Sequence, residues 1–412
     1  MPVFPKATPN ATAAPRVNRR RFLVDGAALG CCLAASPLLT PVSFAATPSD
    51  ARLVVIILRG GMDALDVIQP YGDPAYAALR PGLAGGPDHG GLDLDGYFAL
   101  HPGLAGLMPM WHADQLAFVQ AVSTPYRNKR SHFDGQDVLE AGTPGVHQSR
   151  DGWLNRLLQI LPGSEARTAF AIGQEDMKLL HGAAAVSQWS PDAALALSPQ
   201  AERLAALMTE GDPLFHGALA EALELTRDAS SVSGGQTGQS GGAGRRPPHQ
   251  RIADYAAQQL RGDSRIAAFS INGWDTHNRQ ARTLTRSLGR LADSVLALQA
   301  GLGPSIWDKT TVIAVTEFGR TVRENGTGGT DHGTGGAMML AGGAVRGGRV
   351  FGQWPGLAEA DLLDRRDLMP TGDVRSYMGW ALHATMGVSL ADLRDHVFPA
   401  VELDSNPGII RE

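Results

Sequence analysis

Beyond its first 45 residues the sequence has no cysteine, because the only two, Cys31 and Cys32, lie side by side near its start. The body therefore has no disulfide and no thiolate metal site, so any metal would be held by Asp, Glu, His or Ser. An excess of basic charge is missing too. The formal net charge is −5, and the first 45 residues carry Lys6, Arg16, Arg19, Arg20 and Arg21 against Asp25, which leaves −9 on the remainder. An acidic body argues against nucleic-acid binding, which rests on basic patches. The mildly apolar stretch at 24–39 is too short and too weak for a stable membrane span. No Gly-x-Gly-x-x-Gly follows a strand-like run and no Cys-based redox site exists, so an oxidoreductase has no support.

What is present is a chain of 412 residues, 43% apolar and 19% charged, long enough to bury a full core. Its 50 glycines and 26 prolines imply many tight turns and loops and speak against a helical bundle. Residues 1–45 read as an export signal for the twin-arginine machinery: Asn18-Arg19-Arg20-Arg21-Phe22-Leu23 precedes the apolar stretch, and Ser43-Phe44-Ala45 has the small-x-small pattern of a cleavage site. A disordered basic tail, or a lipoprotein anchored through Cys31, are the alternatives. The expected location is periplasmic or secreted. Residues 46–412 read as one α/β domain, interrupted by a low-complexity Gly/Ser-rich insertion at 229–249.

Within the body one arrangement recurs: a buried apolar strand followed by a polar group just past its end. LVVIIL at 53–58 leads to Arg59-Gly60-Gly61-Met62-Asp63, and LAFVQAV at 116–122 leads through a polar, basic loop to Arg130-Ser131-His132 and a helix that runs to about residue 141. RIAAFSI at 265–271 leads to Asp275-Thr276-His277, and TTVIAVT at 310–316 leads to Glu317-Phe318-Gly319-Arg320, with Asp331-His332 after a glycine-rich loop. Further strands are expected at 170–173 and 337–342, and helices at 251–260, 279–298 and 373–386. The stretch at 71–96 reads as Gly/Pro-rich loop. In open α/β sheets ligands bind beyond the carboxyl ends of the strands, so these four ends would meet on one rim.

Each group also has a simpler reading: Asp63 as a helix cap, Ser131 as a capping serine beside a packing histidine, Asp275 and His277 as a turn pair. His101 and His383 read as structural. Together the four ends favour a site. Ser131 stands at a helix start between Arg130 and His132, where an anion is favoured and a hydroxyl could accept a phosphoryl or sulfuryl group. Carboxylates and imidazoles without thiolates suit zinc, manganese, magnesium or calcium, in a number left open.

The segments LRGGMDALDVIQPYGDPAYAALRPGLA, SHFDGQDVLEAG, DGWLNRLL, GWDTHNRQ, TEFGRTV and GGTDHGTGGAMMLAGG resemble a large bacterial family of exported proteins of unknown function, across essentially the whole mature chain. That family is in turn remotely similar to the alkaline phosphatase, sulfatase and phosphoglycerate mutase superfamily. The resemblance implies an alkaline phosphatase-like mixed, mostly parallel sheet between helices, and a metal-dependent hydrolase of phosphate or sulfate esters acting on a small anionic substrate. Asp63, Asp275, His277, Glu317, Asp331 and His332 would hold the metal. Ser131 or a water activated by the metal would attack beside His132, while Arg130 and Arg59 hold the anionic group. Two features depart from the superfamily pattern: Phe318 stands where it has a histidine, and Asp275 and His277 are closer in sequence than its ligand pair. The alternative is a non-catalytic exported binding or assembly protein that keeps the fold, in which Asp63, Ser131, Asp275 and His332 do not converge.

Overall fold

The computed structural model describes residues 50–127, 130–173, 177–189, 246–403 and 405–411. The export signal expected at 1–45 and most of the 229–249 insertion lie outside the described residues. Arg52–Arg59 (β1), Leu116–Ser123 (β2), Ala169–Ile172 (β3), Ser187–Trp189 (β4), Ile266–Asn272 (β5), Thr310–Val315 (β6), Gly336–Ala341 (β7), Arg349–Phe351 (β8) and Gly372–Asp373 (β9) form a nine-stranded sheet. Its order is β8-β2-β7-β6-β1-β5-β3-β4, with β9 pairing the end of β2. Only the two pairings of β7 are antiparallel; the others are parallel. The sheet is thus mixed and mostly parallel, as expected.

The helices His132–Ala141 (α1), Trp153–Ile160 (α2), Pro248–Arg261 (α3), Gln280–Leu302 (α4) and Val374–Met386 (α5) cover both faces. β1 shows why an uninterrupted apolar run was needed. Val54, Ile56 and Leu58 pack with Leu284 and Leu288 of α4 and Ala253 of α3. Leu53, Val55 and Ile57 pack with Trp153 and Leu157 of α2 and Met378 of α5. Successive side chains point to opposite faces, so a strand covered on both sides has no polar position to spare. Burying each of these side chains is worth about 1.5–3 kcal/mol.

Two boundaries differ from expectation. α3 begins at Pro248, inside the stretch read as linker, because proline is tolerated in a first helical turn. The stretch at 71–96 is not all loop: it contains the one-turn helix Tyr76–Leu79 and part of a small sheet made by Ile68–Gln69, Ala99–Leu100 and Leu92–Asp93.

The parallel register fixes where the chain leaves the sheet. Arg59 pairs with Asn272, and Ile57 with Val315, so β1, β5 and β6 end at one level. β7 runs the other way and enters the sheet at that level, with Gly336 opposite Val122 near the end of β2. The segments at 60–63, 130–132, 273–277, 316–320 and 331–335 therefore share one rim.

Candidate metal centre

Three imidazoles and one carboxylate meet on this rim. His132 comes from the first residue of α1, Asp275 and His277 from the turn after β5, and His332 from the loop before β7. His332 Nε2 lies 3.2 Å from Asp275 Oδ1 and 2.9 Å from His277 Nε2. His277 Nε2 is 3.1 Å from the same Oδ1, and His132 Nε2 is 3.5 Å from Asp275 Oδ2. Ligand-capable atoms of His132, Asp275 and His332 all lie within 4.8 Å of one another.

Each ring is held from behind through its other nitrogen. His132 Nδ1 bonds Glu317 Oε1 at 2.8 Å, His277 Nδ1 bonds Asp331 Oδ1 at 3.0 Å, and His332 Nδ1 bonds the Arg130 carbonyl at 2.8 Å. That last contact explains a strained backbone: Arg130 has φ 50°, in the left-handed region, where a non-glycine residue needs a compensating interaction. With Nδ1 committed in all three rings, Nε2 is the atom each offers to the centre, and His132 Nε2 is buried there with no aligned hydrogen-bond partner. Metal-binding histidines are held in this way, by a carboxylate or carbonyl on the far nitrogen.

Arg320 ties the rim together. Its guanidinium is buried and donates to Asp275 Oδ1 at 2.6 Å, Gly61 O at 2.7 Å, Gly60 O at 2.5 Å, and Trp274 O and Thr330 O at 3.0 Å. The close approach needs Gly60, at φ 125°, where a Cβ would come within 2.5 Å of the Asp275 amide nitrogen. Gly319 is equally confined: a Cβ there would sit 1.8 Å from the Gly335 carbonyl oxygen.

The electrostatics favour positive charge. His132 is pushed up to about 9, by the Asp275 carboxylate 3.5 Å from its Nε2 and then by its hydrogen bond to Glu317. Burial alone would raise Asp275, but His132 at 3.5 Å and hydrogen bonds from His332 and Arg320 together hold it far below the usual carboxylate range. Glu317 shows the same balance: burial raises it, and the bond from His132 with the Gly60 N–H brings it below normal. Asp331 is lowered, first by the Asn325 amide and then, against a modest burial effect, by His277. Phe318 forms an apolar wall, its ring 5.0 Å from that of His132 and 4.9 Å from that of His332.

Several expected site residues are placed differently. Asp63 is not at the cluster. Its carboxylate takes Arg80 bidentately at 2.8 and 3.0 Å, the Gln280 amide at 2.6 Å, the Thr330 hydroxyl at 3.3 Å and the Leu65 N–H at 3.1 Å, which leaves no oxygen for a metal. Ser131 caps α1, accepting the Asp134 N–H at 3.4 Å, and no described hydrogen bond joins its hydroxyl to the cluster. Arg59 is bound by Glu140 at 2.8 Å and Gln136 at 2.8 Å, behind Glu317. Glu317 and Asp331 orient histidines where metal contact was expected, and His132, expected to assist the attack, offers a ligand atom. His101 is a cap, its Nδ1 accepting the Gly103 N–H at 2.9 Å. His383 bonds the Val388 carbonyl at the end of α5. Arg80, Gln280 and the role of Arg320 were not anticipated; a buried arginine carries no sequence mark that separates it from a surface one.

The chain belongs to the family described as "Protein of unknown function (DUF1501)", whose profile matches residues 120–379, a span that contains all four cluster residues. No curated protein sequence matches the chain. Solved structures similar to it include a protein of the alkaline phosphatase superfamily from Vibrio parahaemolyticus, at 13% identity and TM-score 0.33, covering 77% of this chain and 69% of that one. The lipoteichoic acid synthase LtaP from Listeria monocytogenes is similar at 8% identity and TM-score 0.37, with coverage of 84% and 74%. The sulfatase PsFucS1 from Pseudoalteromonas sp. is similar at 12% identity and TM-score 0.35, with coverage of 88% and 74%.

Proposed function

We propose that this member of the DUF1501 family is an exported, metal-dependent hydrolase of small phosphate or sulfate esters. One observation carries the reading: three imidazoles, each anchored through Nδ1, turn Nε2 toward a single carboxylate on the rim where α/β proteins bind ligands. Imidazole nitrogens with one carboxylate suit zinc or manganese better than magnesium or calcium, which prefer oxygen donors. His132, His277, His332 and Asp275 would hold the ion, which when bound polarises an ester and offsets its charge. The cluster is open to substrate, since the Asp275 side chain is 47% exposed.

The chain's own groups supply the rest. Arg366 donates to the His332 carbonyl at 2.9 Å, and Arg130 holds His332 through its backbone, so both guanidinium groups stem from residues that touch the cluster. Both also face the Asp367 carboxylate, Arg366 at 2.7 Å and Arg130 at 3.8 Å, and of the two Arg130, whose side chain is 43% exposed, would take a tetrahedral anion. Phe318 excludes water from one side of the imidazoles and strengthens the charge interactions there. Hydrolysis takes water as nucleophile, and Ser131 remains the cap of α1. Export by the twin-arginine route to the periplasm or beyond follows from the motif at 18–23. Among the described residues no helix is long and apolar enough to cross a membrane.

A second reading, a non-catalytic exported binding protein, draws on the engagement of Asp63 with Arg80 and of Ser131 with its helix. A panel of phosphate and sulfate esters separates the two. Protein loaded with zinc or manganese should turn over at least one class, with activity lost on chelation and in His332→Ala. A loaded protein that hydrolyses neither class is the binding protein.

A further inference from the structure

We infer that Arg320 is the resident second cation of this centre, so that the site takes a single divalent ion; this rests on the metal-centre reading above. The Arg320 side chain has no exposed surface, and its donors are spent on one carboxylate and four backbone carbonyls. Those carbonyls belong to the turn after β1, the turn after β5 and the loop before β7, and the arginine itself follows β6. A metal ion bridging several strand ends would gather oxygens in the same way; here a fixed guanidinium does it. A buried guanidinium is stable only when its donors are satisfied, and this one is tied to the centre through Asp275.

The carboxylates agree. Of Asp275, Glu317 and Asp331 only Asp275 faces the cluster, and Arg320 holds it; Glu317 and Asp331 are taken up in orienting His132 and His277. Asp63, which follows β1 on the same rim, is neutralised by Arg80, whose remaining donors go to the carbonyls of Thr321 at 2.8 Å and Val322 at 2.8 Å. Two buried arginines thus hold the carboxylates that a second ion would need. Among the described residues only one group of three ligand-capable side chains meets.

Arg320 is in this view a positioning residue: it sets the direction of Asp275 and ties together the turns that carry the ligands. The test is a metal count. The purified protein, stripped with a chelator and dialysed against zinc, is assayed for zinc per chain by mass spectrometry. One ion per chain is expected. Two would overturn this inference while leaving the metal centre standing, and none would overturn the metal centre itself. Arg320→Lys keeps the charge but loses the fork. Its zinc Kd, by chelator competition, should weaken by about 10–100-fold at an unchanged count of one. An unchanged Kd would refute the positioning role. The wild-type count decides the stoichiometry even where that variant does not fold.

Discussion

Glu317 holds His132 from a wholly buried position: its Oε1 accepts from the His132 Nδ1–H at 2.8 Å, from the Gly60 N–H at 2.9 Å and from the Gln136 amide at 3.2 Å. The carboxylate fixes the ring and raises the basicity of the nitrogen facing the centre. Glu317→Gln keeps the shape and removes the charge, so zinc affinity should fall by about 10–100-fold with the fold retained. Chelator competition on the wild type and the variant checks this. Equal affinities would mean that Glu317 plays no part in orienting a ligand.

The Asp63–Arg80 pair is placed for stability. Both side chains are fully buried, and removing one partner leaves a charge with no water to solvate it. Arg80→Met should therefore cost about 3–5 kcal/mol in denaturant unfolding. A loss below about 1 kcal/mol, the usual worth of a surface pair, would contradict the burial argument.

Ser131 separates capping from catalysis. As an N-cap, Ser131→Ala should cost about 1 kcal/mol and Ser131→Gly only a few tenths. Turnover per folded molecule should survive in both. Loss of turnover in a stable Ser131→Gly would make the hydroxyl the nucleophile and displace water from that role.

His101 gives the fold a pH dependence. Burial pushes it down to about 4 from an ordinary 6.5. Between those values the unfolded chain binds a proton that the folded chain does not, so stability rises with pH through the window and is fully present above it. The geometry points the same way: Nδ1 caps a helical turn and cannot accept from Gly103 once protonated. Asp66 works in the opposite sense, pushed up to about 6 by burial and by Asp63, so its contribution falls as pH rises toward that value. Comparison with His101→Asn, which can still cap, isolates the histidine. The stability difference between wild type and variant should shift toward the wild type by up to about 3 kcal/mol between pH 4 and 6.5. A difference independent of pH would exclude His101 as the source.

The sheet was legible because strands covered on both faces are predominantly apolar, as in 53–58, 116–122, 265–271 and 310–315. The rim was legible because parallel strands end together, which brings Asp275, His277, Glu317 and His332 to one side. What stayed hidden depends on the tertiary path. Arg80 lies in a Gly/Pro-rich stretch and meets Asp63 only after the chain turns back over the one-turn helix at Tyr76–Leu79. Position past a strand end could not separate Glu317, which orients a ring, from Asp275, which faces the centre. The direction of β7 was hidden too, since an apolar run reads the same either way.

The central claim, that His132, His277, His332 and Asp275 hold a metal ion, is tested most directly by anomalous scattering from crystals soaked in zinc or manganese. The account predicts one strong peak bounded by the three Nε2 atoms and the Asp275 carboxylate, with Glu317 and Asp331 behind the rings. An empty position there, or a peak on Asp63, would contradict it.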